Sequence, residues 1–440
     1  MTWTVLLSRW EPIARGAAVT SDQGQPTVFD QVRVLDVRRG SVGDPTQVVV
    51  RDGVIDKISP TAEIPAGARV VPGEGRTLIP GLIDAHWHAI FASVPLMTAL
   101  TGDVGFLHIV AAAAARDTLL RGFTTVRDAG GPSLGLKQAI DDGLVPGPRI
   151  YPSGAMISQT GGHGDFRARH EIPRGRTGYL SHAELVGAVR IADGVSAVFE
   201  AAREQLMLGA SQLKLMAGGG VASSYDPLDV TQYTEAELHA AVEAAENWGT
   251  YVMVHAYTPR AVQQAIRAGV RCIEHGQLLD DETVELMAEN DVWWSLQPFL
   301  DDEDAPPVPP GSRSKFEQMV TGTETAYELA KKHDVRLAWG TDTLFDPSLA
   351  VKQGKQLAKM TRWFTPAEVL TMATVTNAEL LSLSAARNPY PGVLGVVEEG
   401  ALADLILVNG NPLDDIQLLA APETAFAAIM KQGDLVKDKA

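Results

Sequence analysis

Two histidines stand two positions apart at the end of a short apolar segment, Leu78 to His88. The segment reads L-I-P-G-L-I-D-A-H-W-H, with His86 and His88 on either side of Trp87. Side chains on a strand alternate between its faces, so both imidazoles can reach one point. Imidazole is the commonest protein ligand for zinc-like ions, and this pattern predicts a metal site if other ligands join it.

Further residues with metal-binding or proton-transfer chemistry follow later apolar segments, and the one that stands out is Lys214. It lies between leucines in Q-L-K-L-M-A, where a buried, unpaired ammonium is costly. A lysine that snorkels at a strand end is one interpretation. The other is a lysine that has reacted with carbon dioxide, because the carbamate has a carboxylate-like head able to bridge two metal ions.

The expected metal ligands share a position at the ends of apolar segments. They are His86, His88, Lys214, His255, His275 and Asp342. The first two histidines would serve one ion and the other two the second. Asp342, in W-G-T-D-T, is also expected to be catalytic, because a carboxylate near an acidified water can manage its proton. The simpler interpretation of Asp342 is a helix N-cap beside Thr343.

Two other aspartates accompany the strand ends. Asp84 is on the same strand face as His86 and is expected to orient it, since ligand histidines usually have an outer hydrogen-bond partner. Asp128 is either a supporting residue of the site or a turn residue, and the sequence leaves both open.

Apolar strand candidates alternate with helical segments throughout the central block, residues 80–385. Eight candidates occur, at 82–83, 126, 149–151, 213–216, 251–254, 271–274, 292–296 and 336–340. A capping box from Thr234 to Glu237 predicts a helix up to Gly249, and helices are also predicted over 259–268, 281–289 and 323–332. Eight β-α units predict an α/β fold, a (β/α)8 TIM barrel.

The two chain ends have a different, strand-rich pattern. Residues 1–79 and 386–440 predict a small composite β-sandwich, in which residues 1–26 form an N-terminal extension without a readable pattern. Three long connections within the barrel block follow strands, at 154–180, 217–233 and 298–316. We expect them on the C-terminal face of the barrel, where loops carry function.

Composition excludes several classes of function. The 440 residues include 37 basic and 54 acidic ones, a net charge of -17, so no electrostatic footprint for nucleic acid or anionic membranes exists. The single cysteine, Cys272, permits no intrachain disulfide. Neither a signal peptide nor a membrane span is predicted, which favours a cytoplasmic protein. The oligomeric state is left open, a homo-oligomer included.

The order P-G-L-I-D-A-H-W-H, then Lys214, His255, His275 and Asp342, resembles the amidohydrolase superfamily with a carboxylated lysine and a binuclear metal site. The strings S-Q-T-G-G-H-G-D at 158–165 and H-A-Y at 255–257 resemble a narrower branch. That branch holds Xaa-Pro dipeptidases, ochratoxin-type amidases and, nearby, imidazolonepropionase. The resemblance implies two divalent metal ions, zinc first among them, bridged by N6-carboxylated Lys214.

The same resemblance implies the reaction and further site residues. A metal-bridging hydroxide would cleave an amide bond in a small molecule, an N-acyl amino acid or a dipeptide with a C-terminal carboxylate. His163 would be catalytic and bind substrate, polarising the scissile carbonyl or holding the oxyanion, with an exposed loop histidine as the alternative. Tyr257, Tyr225 and Tyr233 would contact the substrate.

Two other functions are open from the sequence. One is a cyclic amidase or deaminase acting on an imidazolone-like ring, which Lys214 argues against because single-metal deaminases of this kind usually lack a bridging lysine. The other, from a different class, is a non-catalytic scaffold that kept the fold. Lost ligands would support it, and none is lost.

Overall fold

The structure is a computed structural model that describes residues 25–223, 225–305, 308 and 310–440. Residues 1–24, most of the predicted N-terminal extension, lie outside the described residues. Within the described ranges the chain forms a barrel of parallel strands surrounded by helices, and a separate sheet built from both chain ends. The predicted α/β fold, a (β/α)8 barrel with a small β domain, is confirmed.

Eight strands from the two chain ends form one mixed sheet. They are β1 (Thr27–Asp36), β2 (Ser41–Arg51), β3 (Val54–Ser59), β4 (Arg69–Pro72), β5 (Thr77–Pro80), β16 (Leu405–Val408), β17 (Phe426–Lys431) and β18 (Asp434–Asp438). The strand order is β18-β17-β16-β5-β1-β2-β3, with β4 parallel to β1. The two ends meet where β16 pairs antiparallel with β5, from Leu405 opposite Pro80 to Val408 opposite Thr77.

The barrel strands are parallel, and in the sequence they fall between the two groups of strands that form this sheet. They are β6 (Leu82–Trp87), β7 (Phe123–Asp128), β8 (Arg149–Pro152), β9 (Met156–Ser158), β10 (Val189–Ile191), β11 (Leu213–Met216), β12 (Val252–Ala256), β13 (Cys272–His275), β14 (Trp293–Leu296) and β15 (Leu337–Trp339). One sheet follows β6-β7-β8 and the other β10-β9-β11-β12-β13-β14-β15. Strands β8 and β9 therefore share the third barrel position, and β10 pairs with β9 beside it.

The side chain of Asn377 bridges the seam between the last barrel strand and the first. Its amide donates to the carbonyls of Ile83 (2.7 Å) and Trp339 (2.8 Å) and accepts from the Trp339 N–H (3.1 Å). Further along, the Asp342 N–H donates to the His86 carbonyl at 2.8 Å. Since buried backbone groups need partners, these bonds replace the ladder that a longer β15 would supply.

Helices connect the strands and cover the barrel. They are α1 (Leu96–Thr101), α2 (Val104–Leu120), α3 (Leu134–Asp141), α4 (Arg174–Thr177), α5 (His182–Leu185), α6 (Val195–Leu208), α7 (Glu235–Asn247), α8 (Pro259–Arg267), α9 (Asp281–Glu289), α10 (Arg313–Lys332), α11 (Pro347–Ala350), α12 (Gln353–Ala358), α13 (Pro366–Thr371), α14 (Asn377–Ser382) and α15 (Pro422–Ala425). A π-helical segment, Met372–Thr376, joins α13 to α14 and delivers Asn377 to the barrel seam.

The helix predictions hold with one correction. The capping box that opens α7 is formed, because Thr234 and Glu237 bond each other's backbone N–H groups. Helices α8 and α9 have the predicted positions. Helix α10 begins at Arg313, ten positions before the predicted start, so the Pro-rich connection is shorter than expected. The two buried residues on this added part of α10, Phe316 and Met319, pack towards the barrel mouth.

Candidate metal centre

Four histidines form a continuous row of rings at the C-terminal end of the barrel. His88 and His86 have ring centroids 5.4 Å apart, His86 and His275 are 5.0 Å apart, and His275 and His255 are 4.5 Å apart. All four are at most 4% exposed. His86 lies on β6 and His88 directly follows it, while His255 lies on β12 and His275 ends β13. The structure therefore brings these strand ends together, as the sequence predicts.

The Asp342 carboxylate lies against this row. Its Oδ1 is 3.1 Å from Nε2 of His86 and 3.3 Å from Nε2 of His88, and its Oδ2 is 4.0 Å from Nδ1 of His275. Burial alone would raise the pKa of Asp342, but His86, His88 and His275 together hold it well below its usual range. The carboxylate is therefore ionised and able to bind a cation or accept a proton.

Backbone strain is concentrated at two of these residues. His275 has φ of +78° and Asp342 has φ of +51°, in the left-handed region that side-chain-bearing residues rarely adopt. Such strain costs about 1–3 kcal/mol per residue and tends to cluster at functional sites. The left-handed backbone of His275 also changes the face of β13 to which its side chain points.

The second nitrogen of three of the rings is occupied by an outer partner. His88 Nδ1 donates to the Gly130 carbonyl (2.9 Å), His255 Nε2 to the Gly219 carbonyl (3.0 Å), and His275 Nδ1 to Oε1 of Gln297 (2.8 Å). Because a neutral imidazole donates from one nitrogen only, these bonds leave the other nitrogen with a free lone pair. Burial lowers the pKa of His255 well below its usual value and that of His275 to about 3, so both rings are neutral, as a metal ligand must be.

The fourth ring, that of His86, has Glu274 as its outer partner, a residue that the sequence did not indicate. Glu274 Oε2 lies 2.7 Å from Nδ1 of His86, and its Oε1 accepts a hydrogen bond from the Arg127 guanidinium at 2.6 Å. Both Glu274 and Arg127 are fully buried. Burial would raise the pKa of Glu274, but Arg127 and His86 hold it well below its usual range. A buried, paired carboxylate on a ligand ring is a typical support of metal sites.

Asp84 does not have the role expected of it. Its carboxylate accepts from the His86 backbone N–H (3.0 Å), from the N–H (3.1 Å) and hydroxyl (2.8 Å) of Thr341, and from Gln353 (2.9 Å). It therefore braces the backbone at the strand end and does not orient the imidazole. Asp128 acts similarly, accepting from the Ala89 N–H at 3.0 Å.

Lys214 is 1% exposed and lies on the same cavity as the histidines. Among the described residues none forms a hydrogen bond or an ion pair with its ammonium. Burial lowers the pKa of Lys214, and the nearby carboxylates of Glu274 and Asp342 only partly offset that effect. A buried amine biased toward its neutral form and left without a partner needs a further group beside it.

The donor set suits divalent metal ions. One ring nitrogen of His86, one of His275 and a carboxylate oxygen of Asp342 lie within 4.8 Å of one another. His88 and His255 extend the set at either end of the row, and Lys214 lines the same cavity. Imidazole and carboxylate ligands suit zinc and similar ions, so the residues present fit a metal centre.

A cavity of about 180 Å³ opens above these residues. Its wall is mainly apolar and includes one or more residues of each long connection predicted on this face: Phe166, Val221, Phe299 and Val308. Helix α10 contributes Phe316 and Met319. The wall therefore suits an apolar substrate group beside a polar floor.

Two of the predicted substrate contacts line this cavity. His163 stacks on His255 with ring centroids 4.1 Å apart and an interplanar angle of 21°. Tyr257 stacks on His275 at 5.1 Å, and within the described part of the chain the one hydrogen-bond partner of its hydroxyl is Met319 Sδ, a weak acceptor 3.5 Å away.

The other two predicted contacts lie elsewhere. Tyr225 is 51% exposed and its ring lies under the guanidinium of Arg169, outside the cavity. Tyr233 has φ of +61°, and its hydroxyl donates to the Ala192 carbonyl at 3.1 Å. The structure thus separates both tyrosines from the cavity, and the loop path after β11 was not readable from the sequence.

No described helix is both long and apolar enough to cross a membrane.

Comparison with known proteins identifies the family to which the chain belongs. Residues 77–437 match the model of the amidohydrolase family. Ochratoxinase of Aspergillus niger is 32% identical over 444 aligned positions, which cover 94% of this chain and 90% of that protein. A prolidase crystallised with N-methylphosphonate-L-proline superposes with a TM-score of 0.87 at 35% identity, covering 94% of this chain and 100% of its own. A Xaa-Pro dipeptidase with bound methionine gives 0.80 at 28%, covering 93% and 99%.

Proposed function

The chain belongs to the amidohydrolase family and is a hydrolase acting on carbon–nitrogen bonds, and from this premise we propose its substrate and its catalytic residues. The proposed substrates are N-acyl amino acids or dipeptides whose amide bond precedes a C-terminal carboxylate. The observation that carries the proposal is the row of four buried histidines on the floor of one apolar cavity, together with Asp342 and with Lys214, whose ammonium has no partner in the part of the chain that the structure describes.

We assign two divalent metal ions, zinc first among the candidates, to this floor. The residues that would hold them are His86, His88, Lys214, His255, His275 and Asp342, with Lys214 as its N6-carboxylated form. Divalent ions bound there would acidify a water molecule and polarise the substrate carbonyl. Carboxylation of Lys214 would give the buried amine the negative charge and the bonding partners that it lacks.

Three side chains of the protein would then act on the substrate. Asp342, held ionised, accepts the proton of the attacking water and passes it to the leaving nitrogen. His163, above His255, faces the carbonyl oxygen. The Tyr257 hydroxyl donates to the substrate carboxylate, since its present acceptor, the sulfur of Met319, is weak.

The similar proteins support this substrate class. A prolidase and a Xaa-Pro dipeptidase are among the similar structures, and the former was crystallised with N-methylphosphonate-L-proline. The apolar cavity wall adds that the side chains on one or both sides of the amide bond are apolar. The cavity wall is mainly apolar, which does not favour the alternative substrate, an imidazolone-like ring. Lys214 also argues against that substrate, because single-metal deaminases of this kind usually lack a bridging lysine.

The test combines metal analysis with hydrolysis assays on one preparation, purified in bicarbonate without chelator. We expect about two ions per chain and turnover of N-acyl amino acids or X-Pro dipeptides. The matched control is the same amide with its C-terminal carboxylate capped as a carboxamide, which should be hydrolysed less efficiently. About one ion per chain, with ammonia released from a heterocycle, would instead favour the deaminase reaction.

A further inference from the structure

His163 is held in a narrow slot. One face of its ring stacks on His255, and its edge lies against Gly220, where a Cβ atom would overlap the ring. Its backbone N–H donates to Oε1 of Gln232 at 3.0 Å. The His255 ring and the Gly220 backbone therefore limit the positions open to the ring, and the groups beside its two nitrogens decide how these are oriented.

The group beside Nδ1 is a buried carboxylate. Asp226 is 3% exposed, and its Oδ2 lies 3.3 Å from Nδ1 of His163 and 2.8 Å from the Gly220 N–H, which donates to it. The Ser223 hydroxyl is 2.8 Å from the same Nδ1. Burial raises the pKa of Asp226, but the bonds from His163, Ser223 and Gly220 outweigh it, and the net pKa lies below the usual value.

Lys315 fixes the loop that carries this carboxylate. Its ammonium, on α10, donates to the backbone carbonyls of Gly220 (3.0 Å), Ser223 (2.9 Å) and Asp226 (2.6 Å). One cation thus ties together the three residues that surround the outer edge of the His163 ring. A charged donor on neutral carbonyls makes strong hydrogen bonds, so these three residues are held together.

We infer that Asp226 is a positioning residue that acts through His163, with Lys315 holding it in place. The carboxylate fixes a proton on Nδ1 and turns Nε2, which has no hydrogen-bond partner among the described residues, to the substrate side. This inference rests on the proposed function of His163. It adds that Asp226 fixes the direction in which the two ring nitrogens face, so that an Nε2–H would be aimed at a developing oxyanion.

The first test is Asp226→Asn, which keeps the shape and removes the charge. We expect kcat to fall about 10- to 100-fold, with KM changed less than roughly threefold, because the ring is misoriented while the cavity is intact. The control is Asp229→Asn, an exposed carboxylate of the same loop, which should leave both constants unchanged. A kcat for Asp226→Asn within about twofold of wild type would overturn the inference.

A double-variant cycle separates positioning from a general structural effect. His163→Asn should lower kcat by itself, and adding Asp226→Asn should lower it no further, since residues that act as a unit are not additive. If the two losses multiply, Asp226 does not act through His163. Should Asp226→Asn not fold, Lys315→Met provides the same cycle by releasing the loop.

A readout independent of turnover distinguishes this inference from the proposed function. In protein labelled with 15N-histidine, the His163 signals, assigned by their loss in His163→Asn, should show a protonated Nδ1 that shifts in Asp226→Asn. An unprotonated Nδ1 in the wild type would contradict the inference even if amides are hydrolysed. Absence of turnover on every amide, with the expected Nδ1 signal, would reject the proposed function alone.

Discussion

The carboxylate of Glu274 lies 2.7 Å from Nδ1 of His86, and the carboxylate of Asp342 lies 3.1 Å from Nε2 of the same ring. Arg127 holds the other carboxylate oxygen at 2.6 Å, so the ring is braced through two buried charges. These contacts, from Asp342 through His86 and Glu274 to Arg127, extend the candidate centre from the cavity floor into the barrel.

Glu274→Gln is expected to weaken metal binding about 10- to 100-fold, because loss of the charge makes His86 a poorer and less oriented ligand. The dissociation constant is measured by competition with a chromophoric chelator. Glu184→Gln, at a buried carboxylate that caps α5 and bonds Ser181 and Arg174, is the control and should bind metal like wild type. Equal affinity in both variants would show that Glu274 has no part in holding the metal.

Lys214→Met is expected to have opposite effects on activity and on stability. Turnover should fall by more than about 100-fold, beyond the loss typical of an outer partner, and one ion per chain should be lost. In the metal-free protein, urea unfolding should show a gain of about 1 kcal/mol or more, since an unpaired buried amine is replaced by an apolar side chain.

The matched control for this variant is Lys57→Met, at a solvent-exposed lysine of the β domain, which should change neither quantity. Unchanged turnover and metal content in Lys214→Met would reject the binuclear centre proposed here.

Tyr257→Phe is expected to raise KM about tenfold for substrates with a free C-terminal carboxylate, because one hydrogen bond to a charged group is lost. Substrates capped as the carboxamide should be affected far less, and kcat should be nearly unchanged. Tyr225→Phe and Tyr233→Phe serve as controls, since neither ring lines the cavity. An equal rise in KM for free and capped substrates would assign Tyr257 to packing alone.

Asn377→Ala is expected to destabilise the protein by about 2–4 kcal/mol, because three hydrogen bonds across the barrel seam are lost and their backbone partners stay buried. Chemical unfolding of the metal-free protein measures the change. At Asn290, whose amide donates to the Leu286 carbonyl of the helix that it ends, alanine should cost no more than about 0.5 kcal/mol. A similar loss at both positions would show that the seam is closed by other contacts.

The residues of the centre could be located from the sequence because the rules involved are local. Alternation along β6 places His86 and His88 together, and parallel strands bring their C-terminal ends to one face. Glu274 also lies at the end of a barrel strand, but its role was not predicted. Alternation puts it on the opposite face from its neighbour His275, and only the left-handed backbone of His275 lets both side chains point inward.

The rest of the site depends on loop paths, which no local rule describes. Tyr225 and Tyr233 lie in the connection after β11, where a left-handed residue and the Lys315 bonds decide the direction of the chain. The contact between Asp226 and His163 joins two such loops, so neither residue indicates the other in the sequence. The early start of α10 was hidden by the prolines that precede it.

The pairing of β5 with β16 has a consequence for how the protein is made. During synthesis Pro80 emerges early, but Leu405, its partner across the strands, emerges only after the whole barrel. Until then one edge of β5 has no strand to pair with, and an unpaired edge can associate with other nascent chains. Contacts between such distant segments also form slowly. Completion of the β domain should therefore be the late event on the ribosome, and the period before it is when the nascent chain most needs chaperones.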